Sequence, residues 1–363
     1  MVLSSFGFIR VLKKSSSSSE IKDFPLVSVV IAFRNEEENI SKLVNALSKQ
    51  NYPSKKIEII AIDDNSDDNS VAVAKDNISG CNFFDFKIIE LGKEFQKSGK
   101  KDAIRAGVQH TNSEIILTTD ADCIPSNTWI YSMVKEYTTT NSKLVCGPVM
   151  YFQSKGLLKN FFYMDFLSMA GFGAGMFGIK LPIYCNAANM LFNKDTYNKT
   201  ESRVGGKQFA SGDDVFLLHA IKKYFGIKNI SFSLTRDSLV ETEAPESFSE
   251  FFKQRIRWGG KAIGYRDIMS ISTTLLIFIL NFFIVILLLL RFSYSSELFV
   301  YAGLLWIIKC LFDYSILFPG AIFFKYNRLN RYYLIMQLFY PFYITIVGIC
   351  SVLVNVSWKG RSN

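Results

Sequence analysis

Two carboxylates, Asp120 and Asp122, have a type and a spacing that could support chemistry. They follow the apolar run 114–119, and side chains two residues apart on an extended backbone can both turn toward one divalent cation. Oxygen ligands of this kind suit Mg2+ or Mn2+. Alternatively, one carboxylate binds the metal and the other binds a ribose. Acidic triplets often arise by chance, so the interpretation depends on their position at the end of a predicted strand.

A second acidic cluster, residues 63–68, follows the apolar run 57–62. Within it, Asp64 could accept a hydrogen bond from the imide N–H of a uracil or from the amino edge of a guanine. The cluster could also be a capped turn that opens the next helix, with Asn65 or Ser66 as the cap. Both interpretations can hold together, because the cap and the base contact use different side chains.

A third acidic pair, Asp213 and Asp214, stands directly before a stretch with helical spacing that begins at Val215. Backbone N–H groups at a helix N-terminus hold a carboxylate ionised, which suits a general base if a hydroxyl group can approach it. The competing interpretation is a simple N-cap for this helix.

The segment from Gln254 to Trp258 combines an amide, two guanidinium groups and an indole. A guanidinium group, at Arg255 or Arg257, can stabilise a departing diphosphate, and the indole offers a stacking face for a sugar. The alternative is an aromatic and basic anchor at a membrane interface, because the segment comes just before the most apolar part of the chain.

These clusters need a scaffold that presents the ends of strands. The near-continuous apolar run 27–32 predicts a strand covered on both faces, and residues 36–50 follow it with helical spacing. We expect further strands at 57–62, 86–91 and 114–119, and a further helix at 102–109. Alternation of strands and helices indicates an α/β fold with a parallel sheet, in which ligands bind beyond the carboxyl ends of the strands.

Three long apolar segments follow residue 270. Residues 271–290 carry no charge and are long enough to cross the hydrocarbon core, and 298–324 and 332–358 are further candidates. We therefore expect a transmembrane module of about three helices over 271–358.

Lys309 and Asp313 stand four residues apart within the second candidate, and a mutual ion pair inside the bundle is favoured over a role in substrate passage. Positive charges beside the first span and at Lys325, Arg328 and Arg331 predict that these flanks face the cytosol. The topology of the last apolar segment stays open.

Two other segments are hard to assign. Residues 1–24 contain a serine run and are expected to be a flexible or membrane-grazing leader. Residues 151–185 are rich in Phe, Tyr, Met and Gly but are interrupted by charges, so we expect either a pair of interfacial helices or a buried part of the domain core.

Composition excludes several classes of protein. The 363 residues are 49% hydrophobic and carry a net charge of +9, with a mean hydropathy of +0.17, which fits a chain that is partly soluble and partly embedded in a membrane. No continuous basic stripe marks a nucleic-acid-binding helix. The six cysteines show no zinc spacing and are expected to be free thiols, and residues 1–20 are not expected to be a cleaved secretory signal.

In their order along the chain, these motifs resemble the family 2 glycosyltransferases, in particular the membrane-bound branch with DxD and QxxRW motifs. That branch includes cellulose, chitin and hyaluronan synthases and ceramide glucosyltransferase-like enzymes. The resemblance covers roughly residues 25–262, and QxxRW is its most specific element. The matching segments are 27–36 (VSVVIAFRNE), 62–67 (IDDNSD), 99–107 (GKKDAIRAG), 120–122 (DAD), 186–189 (NAAN), 212–214 (GDD) and 254–258 (QRIRW).

The resemblance implies a GT-A (Rossmann-like) nucleotide-sugar-binding domain over 25–268, ahead of the C-terminal transmembrane helices. It also implies an inverting single displacement assisted by Mn2+ or Mg2+. The implied roles are Asp64 at the base, Lys100 at the diphosphate, Asp120 at the nucleotide or sugar and the metal, Asp122 at the metal, and Asp214 as general base. Gln254, Arg257 and Trp258 would close over acceptor and diphosphate, and Asn189 and Asp213 would bind substrate.

The implied donor is a UDP- or GDP-sugar, and the implied acceptor is a lipid-linked or surface glycan near the bilayer. We expect a multi-pass membrane protein with its catalytic domain on the cytosolic side, in the inner or plasma membrane if the source is bacterial. The alternatives are a small processive polysaccharide synthase and a catalytically silent nucleotide-binding membrane scaffold. Three candidate spans leave no long channel, which favours transfer of single sugars.

Overall fold

The computed structural model of the protein describes residues 1–15, 20–78, 81, 83, 85–92, 99–201, 212–290 and 297–354. Contacts between Cα atoms divide the chain into two compact units. The sheet unit consists of Arg10–Tyr151 and Tyr184–Glu243, and the helical unit of Met1–Ile9, Phe152–Ile183 and Ala244–Asn363. The helical unit therefore includes residues 1–9, 152–183 and 244–270 in addition to the expected transmembrane module. The functional division predicted at residue 268 stays a prediction.

The sheet unit has an α/β architecture. Its strands are β1 (Val27–Phe33), β2 (Ile57–Asp63), β3 (Asp85–Glu90), β4 (Ile115–Asp120), β5 (Cys123–Pro125), β6 (Leu144–Cys146), β7 (Val149–Tyr151), β8 (Met190–Asn193), β9 (Ile230–Phe232) and β10 (Val240–Thr242). Its helices are α2 (Ile40–Ser48), α3 (Ser70–Ile78), α4 (Lys100–His110), α5 (Trp129–Thr140), α7 (Lys194–Glu201) and α8 (Asp213–Phe225).

Seven strands form the main sheet in the order β3-β2-β1-β4-β8-β6-β9. The first four strands in this order are parallel, and β8 runs antiparallel to both of its neighbours. A second sheet has the order β5-β10-β7. The predicted α/β fold is confirmed, and the parallel strands lie where the apolar runs predicted them.

Helix α2 begins four residues later than the spacing predicted. Asn35 adopts a left-handed backbone conformation with φ of 53°, and the carbonyl oxygen of Glu36 then accepts hydrogen bonds from the N–H groups of Asn39 and Ile40. A turn therefore separates β1 from the helix, and this turn directs the side chain of Glu36 away from the helical repeat.

The helical unit contains α6 (Leu157–Gly178), α9 (Phe248–Gly260), α10 (Ile268–Leu290), α11 (Glu297–Phe323) and α12 (Leu329–Leu353), together with the first part of α1 (Val2–Ser15). Helices α10, α11 and α12 are long and apolar enough to cross a membrane. Most of their large side chains face outward, which is the pattern of helices solvated by lipid. The three predicted candidates are confirmed as helices of this kind.

The predicted ion pair in the second candidate span is present. Lys309 Nζ lies 2.5 Å from Asp313 Oδ2 and 2.6 Å from Gln337 Oε1 on α12. Lys309 is buried. Its charge is compensated inside the helical unit by the carboxylate of Asp313 and the amide of Gln337.

Two segments differ from expectation. The leader forms helix α1 up to Ser15, and the region 151–185 contains one continuous helix, α6, where a pair was one of the two possibilities. Most of α6 is buried, which favours the alternative of a core element.

Gly7 of α1 contacts Gly175 and Gly178 of α6 so closely that a Cβ atom at any of these three positions would overlap backbone of the other helix. Glycine therefore allows the two backbones to touch.

Replacing Gly175 with alanine tests this contact. The added methyl group would overlap the carbonyl oxygen of Ser4, so we expect the free energy of unfolding to fall by about 1–3 kcal/mol. Gly303, in α11, has open space around its Cα, and the matched Gly303→Ala change should be neutral or stabilise by up to about 1 kcal/mol. Thermal unfolding in detergent compares the two variants, and equal effects would contradict the close approach.

Candidate active site

Acidic residues from two strands meet at one edge of the main sheet. Strand β1 lies between β2 and β4, and its register pairs Phe33 with Asp63 and Ala32 with Asp120. All three strands are parallel, so their carboxyl ends open on the same side. The sheet therefore brings together the two acidic clusters that the sequence places 57 positions apart (120 − 63).

At the end of β2, Asp63 and Asp64 have different environments. The carboxylate of Asp63 accepts hydrogen bonds from Ser66 N at 3.1 and 3.3 Å, and closes a turn in which Asn65 has φ of 59°. Burial raises the pKa of Asp63, and the charges of Glu90 and Asp64 add to the increase. Asp64 is buried beside it, with its N–H donating to Phe33 O at 2.9 Å.

The cap of the following helix differs from the prediction of Asn65 or Ser66. At the N-terminus of α3, the carboxylate of Asp68 accepts a hydrogen bond from Ser70 N at 3.0 Å. Asp63 closes the preceding turn. The expected contact of Asp64 with a base stays a prediction.

Asp120 forms an ion pair with Lys100, the first residue of α4, with 2.5 Å between Nζ and Oδ1. Both side chains are partly exposed. The sequence assigned them to the same substrate region, and the structure brings them into direct contact.

Asp122 lies in the turn between β4 and β5, where Thr242 Oγ1 of β10 donates to its carbonyl oxygen at 3.2 Å. Part of its side chain faces solvent. Nevertheless its pKa is raised to about 6, first because surrounding protein atoms reduce its hydration, then because the carboxylates of Asp120 and Glu36 repel its charge. Lys100 opposes this increase only in part.

Glu36 is a member of this acidic group that sequence reasoning missed. It lies three residues beyond the end of β1, whereas Asp63 and Asp120 are the last residues of β2 and β4, so its position shortly after a strand was the available signal. Its carboxylate accepts a hydrogen bond from Asn39 Nδ2 at 2.9 Å and adds negative potential at Asp122.

Asp214 is tied to the same strand region through a short loop. In the first turn of α8, its carboxylate accepts hydrogen bonds from Ala187 N at 3.2 Å and from Val215 N at 2.8 Å. The carbonyl oxygen of Ala187 in turn accepts a hydrogen bond from Thr118 Oγ1 of β4 at 2.7 Å. Two successive hydrogen bonds therefore connect Asp214 to the strand that ends in Asp120. The side chain of Asp213 lies outside the described residues.

Asn189 is fully buried and uses its amide within the sheet unit. Its Oδ1 accepts from Trp129 Nε1 at 2.8 Å, and its Nδ2 donates to Pro148 O at 2.8 Å and Ser238 O at 2.7 Å. A Cβ atom on Gly147 would overlap this amide. We propose that Asn189 positions Trp129 and the neighbouring loops in place of the expected contact with substrate.

Gln254, Arg257 and Trp258 lie on α9 in the helical unit. Their neighbour Arg255 is buried, with its Nε 2.7 Å from Asp165 Oδ2 of α6. Its guanidinium group donates to Gln254 Oε1 at 2.6 Å and lies 4.4 Å from the ring centroid of Trp258. One face of the indole is therefore already covered by a cation. The expected closure of this segment over acceptor and diphosphate stays a prediction.

The metal ligands expected in the sheet unit are Asp120 and Asp122. Within the part of the chain that the structure describes, no group of three or more His, Cys, Asp and Glu side chains is arranged to hold a metal ion. The six cysteines are free, as predicted, and Cys123 is buried beside Asp122. Two carboxylates would leave the other coordination positions of a hard cation to substrate and water.

Replacing Asn189 with leucine tests its structural role. The change removes the partner that Asn189 provides to the Trp129 N–H and to the Ser238 carbonyl group, whereas the Pro148 carbonyl group still accepts from Val240 N. We therefore expect the free energy of unfolding to fall by about 2–4 kcal/mol. The control Asn198→Leu, at an exposed position on α7, should change it by less than about 0.5 kcal/mol. Chemical denaturation compares the variants. A stable Asn189→Leu protein with weakened substrate binding would instead indicate the substrate contact.

Comparison with known proteins gives two family matches. Residues 28–199 match the model of "Glycosyl transferase family 2", and residues 115–351 match that of "Glycosyl transferase family group 2". Glycosyltransferase AglE of Haloferax volcanii is 30% identical over 132 residues, covering 36% of this chain and 42% of AglE. A poly-beta-1,6-N-acetyl-D-glucosamine synthase of Staphylococcus epidermidis is 23% identical over 273 residues, covering 74% of this chain and 61% of the synthase.

The first curated relatives are matched over about half of their own length or less, at 42%, 27% and 51%. Among solved structures, the mannosyltransferase PcManGT from Pyrobaculum calidifontis, in complex with GDP-Man and Mn2+, has a TM-score of 0.55 at 16% identity and covers 96% of both chains. This likeness supports the expected GT-A fold. Since one family model spans residues 115–351, more than half of the chain, the protein belongs to the group 2 glycosyltransferase family.

Proposed function

We propose that this protein transfers a sugar from a UDP- or GDP-sugar to a membrane-proximal glycan or lipid acceptor by an inverting, metal-assisted single displacement. The observation that carries the proposal is the excess of negative charge at the edge of the main sheet. Lys100 pairs with Asp120, and the pKa of Asp122 is raised to about 6, first by its burial and then by the negative charges of Asp120 and Glu36. A divalent cation would offset this excess.

The residues at this edge fit a hard divalent cation such as Mn2+ or Mg2+. Asp122 would bind it, with Asp120 as a second oxygen ligand or as a contact to the ribose. The bound ion would neutralise charge on the departing diphosphate, which is the main electrostatic demand of the reaction. The complex of PcManGT with GDP-Man and Mn2+ supports this donor and metal class by likeness of fold.

Lys100 and Asp64 would bind the nucleotide part of the donor. The ammonium group of Lys100 contacts Asp120 at 2.5 Å, so it keeps that carboxylate in place and can also reach a diphosphate oxygen bound beside it. Asp64 is buried at the end of β2, where a carboxylate can accept a hydrogen bond from a nucleobase without meeting bulk water.

Asp214 would act as the general base. Its two oxygens accept hydrogen bonds from Ala187 N and Val215 N, which fixes the direction of the carboxylate. An ionised carboxylate can take the proton of an acceptor hydroxyl as that oxygen attacks the anomeric carbon. Asp213, the preceding residue, would contact substrate.

The helical unit would hold the acceptor side of the reaction at the membrane. Gln254, Arg257 and Trp258 would contact acceptor and diphosphate, in a segment that Arg255 fixes through its ion pair with Asp165. Lys325, Arg328 and Arg331 lie in or beside the connection between α11 and α12, and basic residues near span ends favour the cytosolic side. The catalytic residues would then face the cytosol of a multi-pass membrane protein.

A second candidate function is processive polysaccharide synthesis. The similarity to poly-beta-1,6-N-acetyl-D-glucosamine synthase extends over 74% of this chain, which favours this possibility more than a short motif match would. Sizing of the product by gel filtration distinguishes the two functions, because single transfer adds one sugar to each acceptor. Nucleotide binding without turnover on any donor would indicate a silent scaffold.

Turnover of donor tests the proposed site. Purified protein with Mn2+ should release nucleoside diphosphate from one of a small panel of nucleotide sugars, and removal of the metal with EDTA should stop it. Asp122→Asn removes a metal ligand, and Asp214→Asn removes the base, so each should lower the rate by roughly 100-fold or more.

The matched control is Asp195→Asn, which removes an exposed carboxylate from α7, where it pairs only with Lys199 at 2.6 Å. This variant should keep the rate of the unmodified protein. If both Asp122→Asn and Asp214→Asn retain full activity, the assignment of these residues is wrong.

The raised pKa of Asp122 predicts a pH-dependent effect on stability. In metal-free protein the folded state holds the proton of Asp122 up to about pH 6, against an ordinary value of 3.8, so this group destabilises the fold increasingly as the pH rises between the two values. Asp122→Asn should therefore stabilise metal-free protein at pH 7.5, by up to about 1 kcal/mol because solvent screens a partly exposed charge.

Thermal unfolding in EDTA at pH 4.5 and 7.5 measures this effect. The stabilisation should shrink toward pH 4.5, and added Mn2+ should reverse it at pH 7.5 because only the unmodified protein binds the ion. A difference that is equal at both pH values would contradict repulsion at Asp122 as its cause.

A further inference from the structure

Helix α1 has an exposed surface that changes character along its axis. From residue 1 to residue 9, every exposed side chain is large and apolar, and Leu3 and Phe6 are 71% and 67% exposed. From residue 10 to residue 14, every exposed side chain is basic: Arg10, Lys13 and Lys14. The surface of one short helix is therefore apolar in its first part and cationic in its last turn.

The buried side of the same helix is the more polar one. Ser4 and Ser5 are buried, and the Ser5 hydroxyl lies 3.0 Å from the Ser315 hydroxyl of α11. Gly7 makes the close backbone contact with α6 described above. A helix on a protein in water buries its apolar face and exposes its polar one. In α1 this arrangement is reversed, which is typical of a helix that packs on protein through small and hydroxylated residues and faces lipid with large ones.

The neighbours of α1 extend the same apolar surface. The rings of Phe8 and Phe323 of α11 pack edge to face, with 6.0 Å between their centroids. Near this contact α11 also exposes Phe318 and Ile322. Since α11 is long and apolar enough to cross a membrane, the exposed apolar part of α1 continues a surface already suited to lipid.

We propose that α1 is a further membrane-embedded element of this protein, with residues 2–9 inserted among lipid acyl chains and Arg10 and Lys13 at the phosphate headgroups. The inserted part has eight residues and is about 12 Å long, which is less than half of the roughly 30 Å hydrocarbon core. It therefore enters one leaflet only. The adjacent basic residues are complementary to anionic headgroups, which favours lipid over a second copy of this chain as the occupant of the surface.

The proposal is tested by placing an indole on the exposed surface. Phe6→Trp in the full-length protein, reconstituted in phosphatidylcholine bilayers, adds one fluorophore, and subtraction of the unmodified protein isolates its emission. Bromine atoms on the acyl chains quench indoles that contact them. We expect the added emission to be blue-shifted and to lose most of its intensity in brominated bilayers.

Tyr224→Trp is the control, since Tyr224 is an exposed aromatic residue of α8 in the sheet unit. Its emission should keep its intensity in brominated bilayers and be quenched by aqueous acrylamide. Leu3→Trp repeats the measurement at a second exposed position of α1, so a misfolded Phe6→Trp protein would not leave the question undecided.

Two results would overturn the proposal. Emission from residue 6 or residue 3 that acrylamide quenches and brominated lipid does not would place this surface in water. Blue-shifted emission that neither reagent quenches would place it against protein, as in contact with a second copy of the chain. Neither result depends on catalysis, so the test is independent of the proposed function.

Discussion

Repulsion among carboxylates at one edge of a parallel sheet is the constraint on which the sheet unit depends. Parallel strands end on the same side, and here the two strands adjacent to β1 each end in an acid, Asp63 in β2 and Asp120 in β4, while Glu36 lies three residues beyond the end of β1. Water cannot fully solvate charges held so close together. The ammonium group of Lys100 compensates the charge of Asp120, and the Ser66 N–H donates to Asp63, whereas Lys100 opposes the raised pKa of Asp122 only in part. Because the negative charge around Asp122 is compensated only in part, a cation bound there would be favourable.

The helical unit also contains a buried charge, but this charge is compensated within the unit. Arg255 is buried, and its charge is satisfied by Asp165, by the Gln254 amide and by the face of Trp258. A buried ion pair contributes little net stability, but loss of one partner leaves an uncompensated charge in apolar surroundings, which is strongly destabilising. Asp165 therefore restricts the conformations available to the whole α9 segment, which contains the most specific motif of the family resemblance.

Local patterns predicted the parts of the structure that depend on local causes. Near-continuous apolar runs predicted β1, β2 and β4 correctly, because a strand buried on both faces has a strong signal in the sequence. The same runs placed Asp120 at the end of β4 and Asp122 just beyond it. Asn189 could not be assigned in this way, since its amide is used by Trp129, sixty positions away. Strands of three residues, such as β6 and β7, carry too little periodicity to be recognised. The apolar stretch of α1 is also short, so the sequence predicted a flexible or membrane-grazing leader there without predicting a helix.

The buried contact of Lys309 with Asp313 and Gln337 has a consequence for biogenesis. An isolated α11 would enter the lipid phase with an ammonium and a carboxylate satisfied only by each other, while the amide oxygen that completes the set belongs to α12. Partition of α11 from the insertion machinery is therefore most favourable after α12 has emerged from the ribosome. The two segments would leave the translocon as a helical hairpin. The speed of translation through residues 324–353 would set the time during which Lys309 and Asp313 lack the amide of Gln337.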